Sequence, residues 1–197
     1  MFDKQKYFNE LYENNSKNIP TCAFLFRDFG VEGGCKYFVE TGTHLGHGVQ
    51  YALDWGFENI LSCEFMSNRY EECLERFSDN DNVALFLGDS RDCISEMIKL
   101  VDSKACFWLD AHSEGGGVPT FEELDEIKKH SIKNHVIVID DIPVYFSGNN
   151  RVKLEQKILE INKNYSFVYF PVWMGNAPDY KTHRLVEDYQ LVAYIDE

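Results

Sequence analysis

Short apolar runs of strand length alternate with helix-length segments along most of this 197-residue chain. Strands of a parallel sheet are continuous apolar runs of this kind, because helices cover both faces of the sheet and neither face is polar. No internal repeat or low-complexity linker interrupts the pattern. We therefore expect one α/β domain with a mostly parallel sheet. The predicted strands are Tyr37–Glu40, Ile60–Glu64, Val83–Leu87, Ala105–Asp110, Val136–Asp140, Phe167–Pro171 and Gln190–Ile195.

The segments between these runs carry helical patterns, and Thr120 and Glu123 have the spacing of a capping box. No helical pattern separates the last two strands, so we expect an antiparallel hairpin joined by a long loop at residues 172–189. Aromatic and leucine side chains recur at helical spacing from Phe2 to Tyr12. They predict a helical leader at 1–35 that packs on the domain at 36–197 or covers its site. The other predicted helices are Gly48–Asp54, Asn68–Phe77, Arg91–Val101, Phe121–His130 and Val152–Ile161.

The stretch Tyr37–Gly48, YFVETGTHLGHG, joins the first strand to closely spaced glycines. Glycines at the end of a parallel strand let the backbone approach a bulky ligand. A second strand ends on Glu64, 24 residues after Glu40. An acid at this place accepts hydrogen bonds from ribose hydroxyls in nucleotide-binding βαβ units. The pattern therefore predicts a nucleotide-like ligand.

The glycine spacing narrows the choice of ligand. Glycines at 42, 46 and 48 do not form Gly-x-Gly-x-x-Gly, and none is placed to open a helix on a pyrophosphate. This disfavours a nicotinamide-dependent dehydrogenase. The series E-x-G-x-x-x-G, followed one βα unit later by a second acid, resembles motif I of class I S-adenosylmethionine-dependent methyltransferases. The resemblance implies S-adenosyl-L-methionine as cofactor and a Rossmann-like sheet of seven strands, mostly parallel, with helices on both faces and a C-terminal antiparallel hairpin.

The same resemblance implies which residues contact the cofactor. The third strand delivers Gly88, Asp89 and Ser90, which in that family face the adenine ring. Asp89 would accept from the exocyclic amine, although either Asp89 or Ser90 also suits the cap of a helix that begins at Arg91. The full set of expected cofactor residues is Glu40, Thr41, Gly42, Thr43, Gly46, Glu64, Asp89, Ser90 and Asp110.

Acidic residues and one histidine follow two neighbouring strands. In CFWLDAHSEGGG the apolar strand is followed by Asp110 and His112. In VIVIDDIP the apolar strand is followed by Asp140 and Asp141. Converging carboxylates repel one another unless a cation lies between them, and oxygen ligands suit Mg²⁺ or Mn²⁺. His112 could then remove a proton as general base. The alternative is a turn histidine beside a helix cap and a loop carboxylate.

This arrangement is similar to the metal-dependent sugar O-methyltransferases of the macrocin and novobiocin type. The resemblance implies Asp110, Asp140 and Asp141 as metal ligands, with Asp110 and His112 as the catalytic residues. In that group an aspartate base stands two residues after the first ligand, where this chain has His112. The implied reaction is O-methylation of a sugar or glycoconjugate hydroxyl.

Other acceptors and roles stay open at this point. A catechol or amine acceptor suits the same site, and so does a catalytically silent module that scaffolds another enzyme. Tyr145, Phe146 and Trp173 are the aromatic candidates for contact with an acceptor. The segment Ser113–Thr120, SEGGGVPT, has the composition of a lid.

Charge and composition limit the partners. The net charge of −14 argues against a nucleic-acid partner, because such binding relies on clustered Lys and Arg. No run of about 18 apolar residues predicts a membrane span, and the polar N-terminus does not resemble a signal peptide. We therefore expect a cytoplasmic protein. The six cysteines form no C-x-x-C pair and are expected to be small buried side chains.

Overall fold

The computed structural model describes residues 21–112, 117–174 and 184–196. The strands of these segments form one seven-stranded sheet in the order β3-β2-β1-β4-β5-β7-β6. Strands β1 to β5 pair in parallel, and β7 runs antiparallel to both β5 and β6. The strands are β1 Tyr37–Thr41, β2 Asn59–Glu64, β3 Val83–Leu87, β4 Ala105–Leu109, β5 Val136–Ile139, β6 Ser166–Met174 and β7 Arg184–Tyr194. The predicted Rossmann-like sheet with its antiparallel C-terminal pair is confirmed.

Helices connect the parallel strands, and a π-helical turn at Phe26–Val31 precedes β1. None of the helices in the described part of the chain has the length and apolar character needed to cross a bilayer. The helices are α1 Thr21–Leu25, α2 His47–Trp55, α3 Ser67–Arg76, α4 Ser90–Ile98, α5 Thr120–Lys129, α6 Ile142–Tyr145 and α7 Asn149–Leu159.

Two apolar clusters cover the two faces of the sheet. Successive side chains of a strand point to opposite faces, and Phe38 and Val39 of β1 accordingly enter different clusters. Phe107 and Trp108 of β4 divide in the same way. Helices α4, α5 and α7 supply one cluster, while α2 and the π-helical turn supply the other. Burial on both faces explains why the central strands lack polar alternation.

The segment before β1 packs into the second cluster. The ring of Phe26 lies 4.8 Å from that of Phe38 and 5.0 Å from that of Trp108, measured between centroids. Phe29 likewise meets Phe170 at 5.8 Å. Residues 21–31 are thus part of the domain core. The predicted helix from Phe2 to Tyr12 lies outside the described residues.

The prediction of a loop at 172–189 is wrong at both of its ends. Strand β6 continues to Met174 and β7 begins at Arg184, with Val172 paired to Val186. A register shift between Phe170 and Val172 lets the pairing continue beyond Pro171, because a bulge accommodates a residue that cannot donate to the ladder. Residues 175–183 lie outside the described part.

The predicted capping box is also wrong. Pro119 is the N-cap of α5, and no side chain caps this helix. Thr120 is 3% exposed and Glu123 is 0% exposed. Both side chains of the first turn therefore face the protein interior and cannot fold back onto the helix end.

Candidate functional site

The carboxyl end of β1 carries a buried network of polar side chains. Glu40 is 2% exposed and accepts a hydrogen bond of 2.6 Å from the Ser62 hydroxyl. The hydroxyls of Ser62 and Thr43 lie 2.5 Å apart. Burial raises the pKa of Glu40 to about 8. Glu40 and Thr43, predicted to bind the cofactor, therefore belong to one network.

Two glycines of the following loop have positions that only glycine suits. Gly46 has a φ of 74° and is the N-cap of α2, which begins at His47, one residue before the predicted start at Gly48. Gly48 lies so close to Glu40 that a β-carbon would be 1.8 Å from Oε1. The first turn of α2 thus packs directly on the Glu40 carboxyl. Gly42 lies against the backbone of Asp110 on the other side of the loop.

Glu64, at the end of β2, holds two loops together. Its carboxylate accepts 2.7 Å and 2.8 Å hydrogen bonds from the backbone N–H groups of His44 and Met66. The side chain is only 6% exposed, whereas the next residue, Phe65, is 70% exposed. Glu64 is therefore a buried acid held by the backbone, while the neighbouring Phe65 side chain faces solvent.

Asp89 caps helix α4, as one of the two sequence interpretations proposed. Its carboxylate accepts from the backbone N–H of Arg91 at 3.0 Å and from the guanidinium at 2.8 Å and 2.5 Å. These hydrogen bonds lower the pKa of Asp89. Ser90 is 7% exposed. A ligand amine that reaches Asp89 would compete with Arg91 for the carboxylate.

A third buried acid lies on helix α5. Glu123 of α5 is fully buried, and neither of its carboxyl oxygens has a hydrogen-bond partner among the described residues. The same holds for the Thr41 hydroxyl at the end of β1. Burial raises the pKa of Glu123 to about 7, and the nearby Ser90 and Thr41 hydroxyls oppose that rise.

Strands β4 and β5 bring the second group of predicted residues together. Ligand atoms from Asp110, His112 and Asp141 all lie within 4.8 Å of one another. Strands β4 and β5 are parallel neighbours, with Leu109 paired to Ile139, so both loops leave the same sheet edge. Burial, and then the charge of Asp140, raise the pKa of Asp110 to about 9.

Asp140 lies beside this group but not within it. Its Oδ1 atom is buried and has no hydrogen-bond partner among the described residues. Burial raises the pKa of Asp140 to about 7. Asp141 has a left-handed backbone with a φ of 56°, and its Oδ1 accepts a hydrogen bond from the Tyr189 hydroxyl. Asp140 as a metal ligand stays a prediction.

Aromatic residues border the acidic group, as the sequence suggested for two of them. The ring of Tyr145 is stacked on that of His112, with centroids 6.4 Å apart and planes 26° apart. Tyr145 and Phe146 both line a small cleft together with Asp110, His112 and Asp141. Residue 173 lies in β6, its side chain outside the described part, and the predicted lid is described only from 117 onward.

Sequence reasoning missed three residues of this region. Tyr189 was assigned to a loop, because Glu187 and Asp188 before it interrupt the apolar pattern of the strand. Glu123 was assigned to a helix cap. Burial, then the charges of Asp140 and Asp110, raise the pKa of Cys22 in α1. No local pattern in the sequence marks an electrostatic interaction between residues so far apart in the chain.

No protein-family model matches the chain, and no curated protein sequence matches it either. Solved structures do match. An O-methyltransferase from Bacillus cereus in complex with SAH is 15% identical, with a TM-score of 0.61 and coverage of 97% of this chain and 88% of the other. The O-methyltransferase TomG from Streptomyces achromogenes, in complex with SAM, is 10% identical, with a TM-score of 0.57 and full coverage of both chains.

A third structure extends the comparison to a fungal protein. The SAH-bound methyltransferase PaMTH1 from Podospora anserina is 12% identical, with a TM-score of 0.52 and coverage of 100% of this chain and 98% of the other. Identities this low carry information about the fold alone. The described part of the chain therefore has the fold of these methyltransferases, whose structures hold SAM or SAH.

Proposed function

We propose that this protein is an S-adenosylmethionine-dependent O-methyltransferase acting on a hydroxyl of a sugar or glycoconjugate. One observation carries the proposal. On a methyltransferase fold, one sheet edge brings the buried acids Glu40 and Glu64 beside a second group formed by Asp110, His112 and Asp141. The first group suits a nucleoside cofactor and the second suits a hydroxyl acceptor.

The carboxylates at the carboxyl ends of the strands suit the positive charge of the cofactor. S-adenosylmethionine carries a sulfonium and an ammonium group and has no phosphate, so carboxylates around it are attractive rather than repulsive. Glu64 is the candidate partner of the ribose, and Asp89 and Ser90 are candidates for the adenine. The remaining contacts proposed for this ligand are Glu40, Thr41, Gly42, Thr43, Gly46 and Asp110.

The acceptor side also fits a divalent ion, Mg²⁺ or Mn²⁺ in the sequence-based proposal. The carboxylates of Asp110, Asp140 and Asp141 are hard oxygen donors, and the unpartnered Oδ1 of Asp140 is a donor atom without any other use in the described residues. A bound ion would orient the acceptor and lower the pKa of its hydroxyl.

The chain's own groups then have defined tasks in methyl transfer. His112, in the role predicted from sequence, accepts the proton of the acceptor hydroxyl. The oxygen attacks the methyl carbon in line with the sulfonium, and the carbon–sulfur bond breaks with its electron pair left on sulfur. The products are a methyl ether and S-adenosylhomocysteine. Tyr145, stacked on His112, offers a flat apolar face for a sugar ring.

Calorimetric titration with S-adenosylhomocysteine tests the cofactor before the acceptor. We expect micromolar binding that Glu64→Gln weakens, because a ribose hydroxyl pair needs the ionised acceptor. Glu58→Gln is the matched control, since Glu58 lies before β2 and pairs with Lys36 at 3.2 Å on the surface. Absence of binding to the wild-type chain would refute the methyltransferase proposal and favour a scaffold role.

A panel of acceptors then tests the substrate class. Wild-type protein is incubated with the methyl donor and with simple glycosides, catechols or amines, and S-adenosylhomocysteine release is measured. Turnover of glycosides supports the proposal. Turnover of a catechol or an amine alone would replace the sugar by that acceptor while leaving the methyl-transfer chemistry in place.

A further inference from the structure

Ser62 places a hydroxyl in the interior of the protein, within an otherwise mostly apolar strand. The residue is 0% exposed in β2 and is paired with Glu40 of β1. We propose that Ser62 is a positioning residue of the cofactor site, whose hydroxyl holds the Glu40 carboxylate in place and in its charged form. This inference rests on the proposed function, because Glu40 is one of the contacts proposed for S-adenosylmethionine.

The register of the sheet brings the two side chains together. Strands β1 and β2 are parallel, and Glu40 is opposite Ser62, so both side chains point to the same face. The Ser62 hydroxyl lies 2.6 Å from Oε2 of Glu40 and 2.5 Å from the hydroxyl of Thr43. A hydroxyl has one proton. Because Ser62 donates its proton to Glu40, Thr43 must donate to Ser62, and both hydroxyl dipoles point toward the carboxylate.

The backbone fixes both ends of this hydrogen-bond chain. The carbonyl oxygen of Cys63, the residue after Ser62, accepts 2.9 Å hydrogen bonds from the N–H groups of Gly42 and Thr43. On the other side of the carboxylate, the first turn of α2 packs so closely on Glu40 that a β-carbon at residue 48 would not fit. Glu40 is therefore held between β2 and α2. A group held in this way loses little freedom when a ligand binds.

The surroundings of Glu40 otherwise favour its neutral form. Burial raises the pKa of Glu40 to about 8, the hydrogen bond from Ser62 opposes that rise, and the charge of Glu64 adds to it. Helix α2 meets the carboxyl through a glycine, which has no ionisable side chain. Within the described residues, Ser62 is thus the group that favours the charged carboxylate. The other titratable groups that interact with Glu40 are neutral or negative: Cys22 of α1, Cys73 of α3 and Asp110 after β4.

The charge of Glu40 matters because S-adenosylmethionine and its product both carry an ammonium group. An ionised carboxylate attracts that group, whereas a protonated one does not. Loss of the Ser62 hydroxyl should raise the pKa of Glu40 further, because it removes a donor to the charged form. Below the pKa, each unit of increase lowers the ionised fraction about tenfold. Well above the pKa in both proteins, Glu40 is ionised in either, and the difference between them disappears.

The test is calorimetric titration of the full chain with S-adenosylhomocysteine at several values between pH 6.5 and 9.5. We expect Ser62→Ala to bind about tenfold more weakly than wild type at pH 7, and the gap to close to within about twofold at pH 9.5. A merely structural role would weaken binding by the same factor at every pH, and that result would overturn the inference. Ser78→Ala is the matched control, because it removes a hydroxyl that donates to the Glu75 carbonyl oxygen on the surface.

A double-mutant cycle checks that Ser62 acts through Glu40. In a Glu40→Gln background there is no charge to hold, so adding Ser62→Ala should change the affinity at pH 7 by less than about twofold. A tenfold loss in that background would overturn the inference. Thermal unfolding identifies variants that do not fold. If Ser62→Ala is one of them, Ser62→Cys takes its place, because a thiol is a weak donor and fills the same space.

A ligand-free measurement gives an independent readout. Carbon-13 NMR of the Glu40 carboxyl should show a higher pKa in Ser62→Ala than in wild type, and an unchanged pKa would overturn the inference. Failure of this inference is distinguishable from failure of the proposed function. If wild type and Ser62→Ala bind S-adenosylhomocysteine equally well at every pH, only the role of Ser62 is refuted. If wild type does not bind it at any pH, the proposed function is refuted, and this inference with it.

Discussion

We expect one buried histidine, His135, to stabilise the fold less in mild acid than at pH 8. His135 is 0% exposed, and its Nδ1 accepts a 3.0 Å hydrogen bond from the backbone N–H of Ala105. Its Nε2 lies 2.9 Å from Nδ1 of His130, whose Nε2 lies 3.0 Å from the carbonyl oxygen of Val101. These contacts are satisfied when both rings are neutral, with protons on the two Nε2 atoms. A second proton on His135 would meet the Ala105 N–H.

The pKa gives the size of the effect. Burial, and then the charge of His130, lower the pKa of His135 from 6.5 to about 3. The folded protein therefore keeps His135 neutral, while the unfolded chain takes up a proton below pH 6.5. Stability from this residue is complete above pH 6.5 and is lost as the pH falls toward 3. At pH 5 the loss amounts to roughly 2 kcal/mol relative to pH 8.

The assay is urea unfolding of wild type and His135→Gln at pH 8 and pH 5. The difference between the two proteins isolates His135, because the raised pKa values of Glu40, Glu123 and Asp110 act in the opposite direction in both. Those carboxyls stabilise the fold as the pH falls. We expect His135→Gln to be less stable at pH 8 and the gap to shrink by roughly 2 kcal/mol at pH 5. A gap that does not change with pH would refute this reasoning.

Three further predictions concern single side chains. Glu123→Leu should stabilise the protein by about 1–3 kcal/mol at pH 8.5 and less at pH 6, because it removes a buried carboxyl without a partner. Urea unfolding at the two pH values measures the effect, and equal effects at both would contradict this prediction. Gly48→Ala should weaken S-adenosylhomocysteine binding by about tenfold or more in calorimetry, because the β-carbon of the alanine would collide with Glu40. Unchanged binding would argue against contact between the cofactor and the loop that joins β1 to α2. Tyr189→Phe should weaken Mn²⁺ binding by about tenfold at an unchanged melting temperature, because it removes the hydroxyl that donates to the Asp141 carboxylate. A variant with the Mn²⁺ affinity of the wild type would show that Tyr189 does not orient Asp141 for the ion.

Strands were predictable where a short apolar run alone marks them. Val83–Leu87 is the predicted range itself, and the predicted start of β4 at Ala105 is also the observed one. The side chains of β4 are buried on both faces of the sheet, and those of Val83–Phe86 in β3 are partly buried against both apolar clusters. The end of β6 and the start of β7 were not predictable in the same way. A proline such as Pro171 predicts the end of a strand, whereas the register shift at that point lets the pairing of β6 with β7 continue.

The candidate site was predictable as a set of residues and not as a set of contacts. Glu40 and Glu64 could be placed at strand ends from the apolar runs before them. Which carboxylate would lie beside His112 depends on the turn after β5, where Asp141 takes a left-handed conformation. The inward direction of Glu123 depends on where α5 packs. Neither the turn nor the packing leaves a periodic trace in the sequence.

The position of β7 between β5 and β6 has a consequence for how the protein is made on the ribosome. Strand β5 pairs with β4 on one side and with β7 on the other, although residues 184–194 are the last strand described. Until that segment leaves the ribosome, β5 is an unpaired edge, which is a site of unwanted strand pairing. Tyr189, on the same late strand, reaches Asp141. We therefore expect the acceptor side to form only when the sheet is closed, so that chains stalled before residue 184 would carry an exposed edge and an incomplete site.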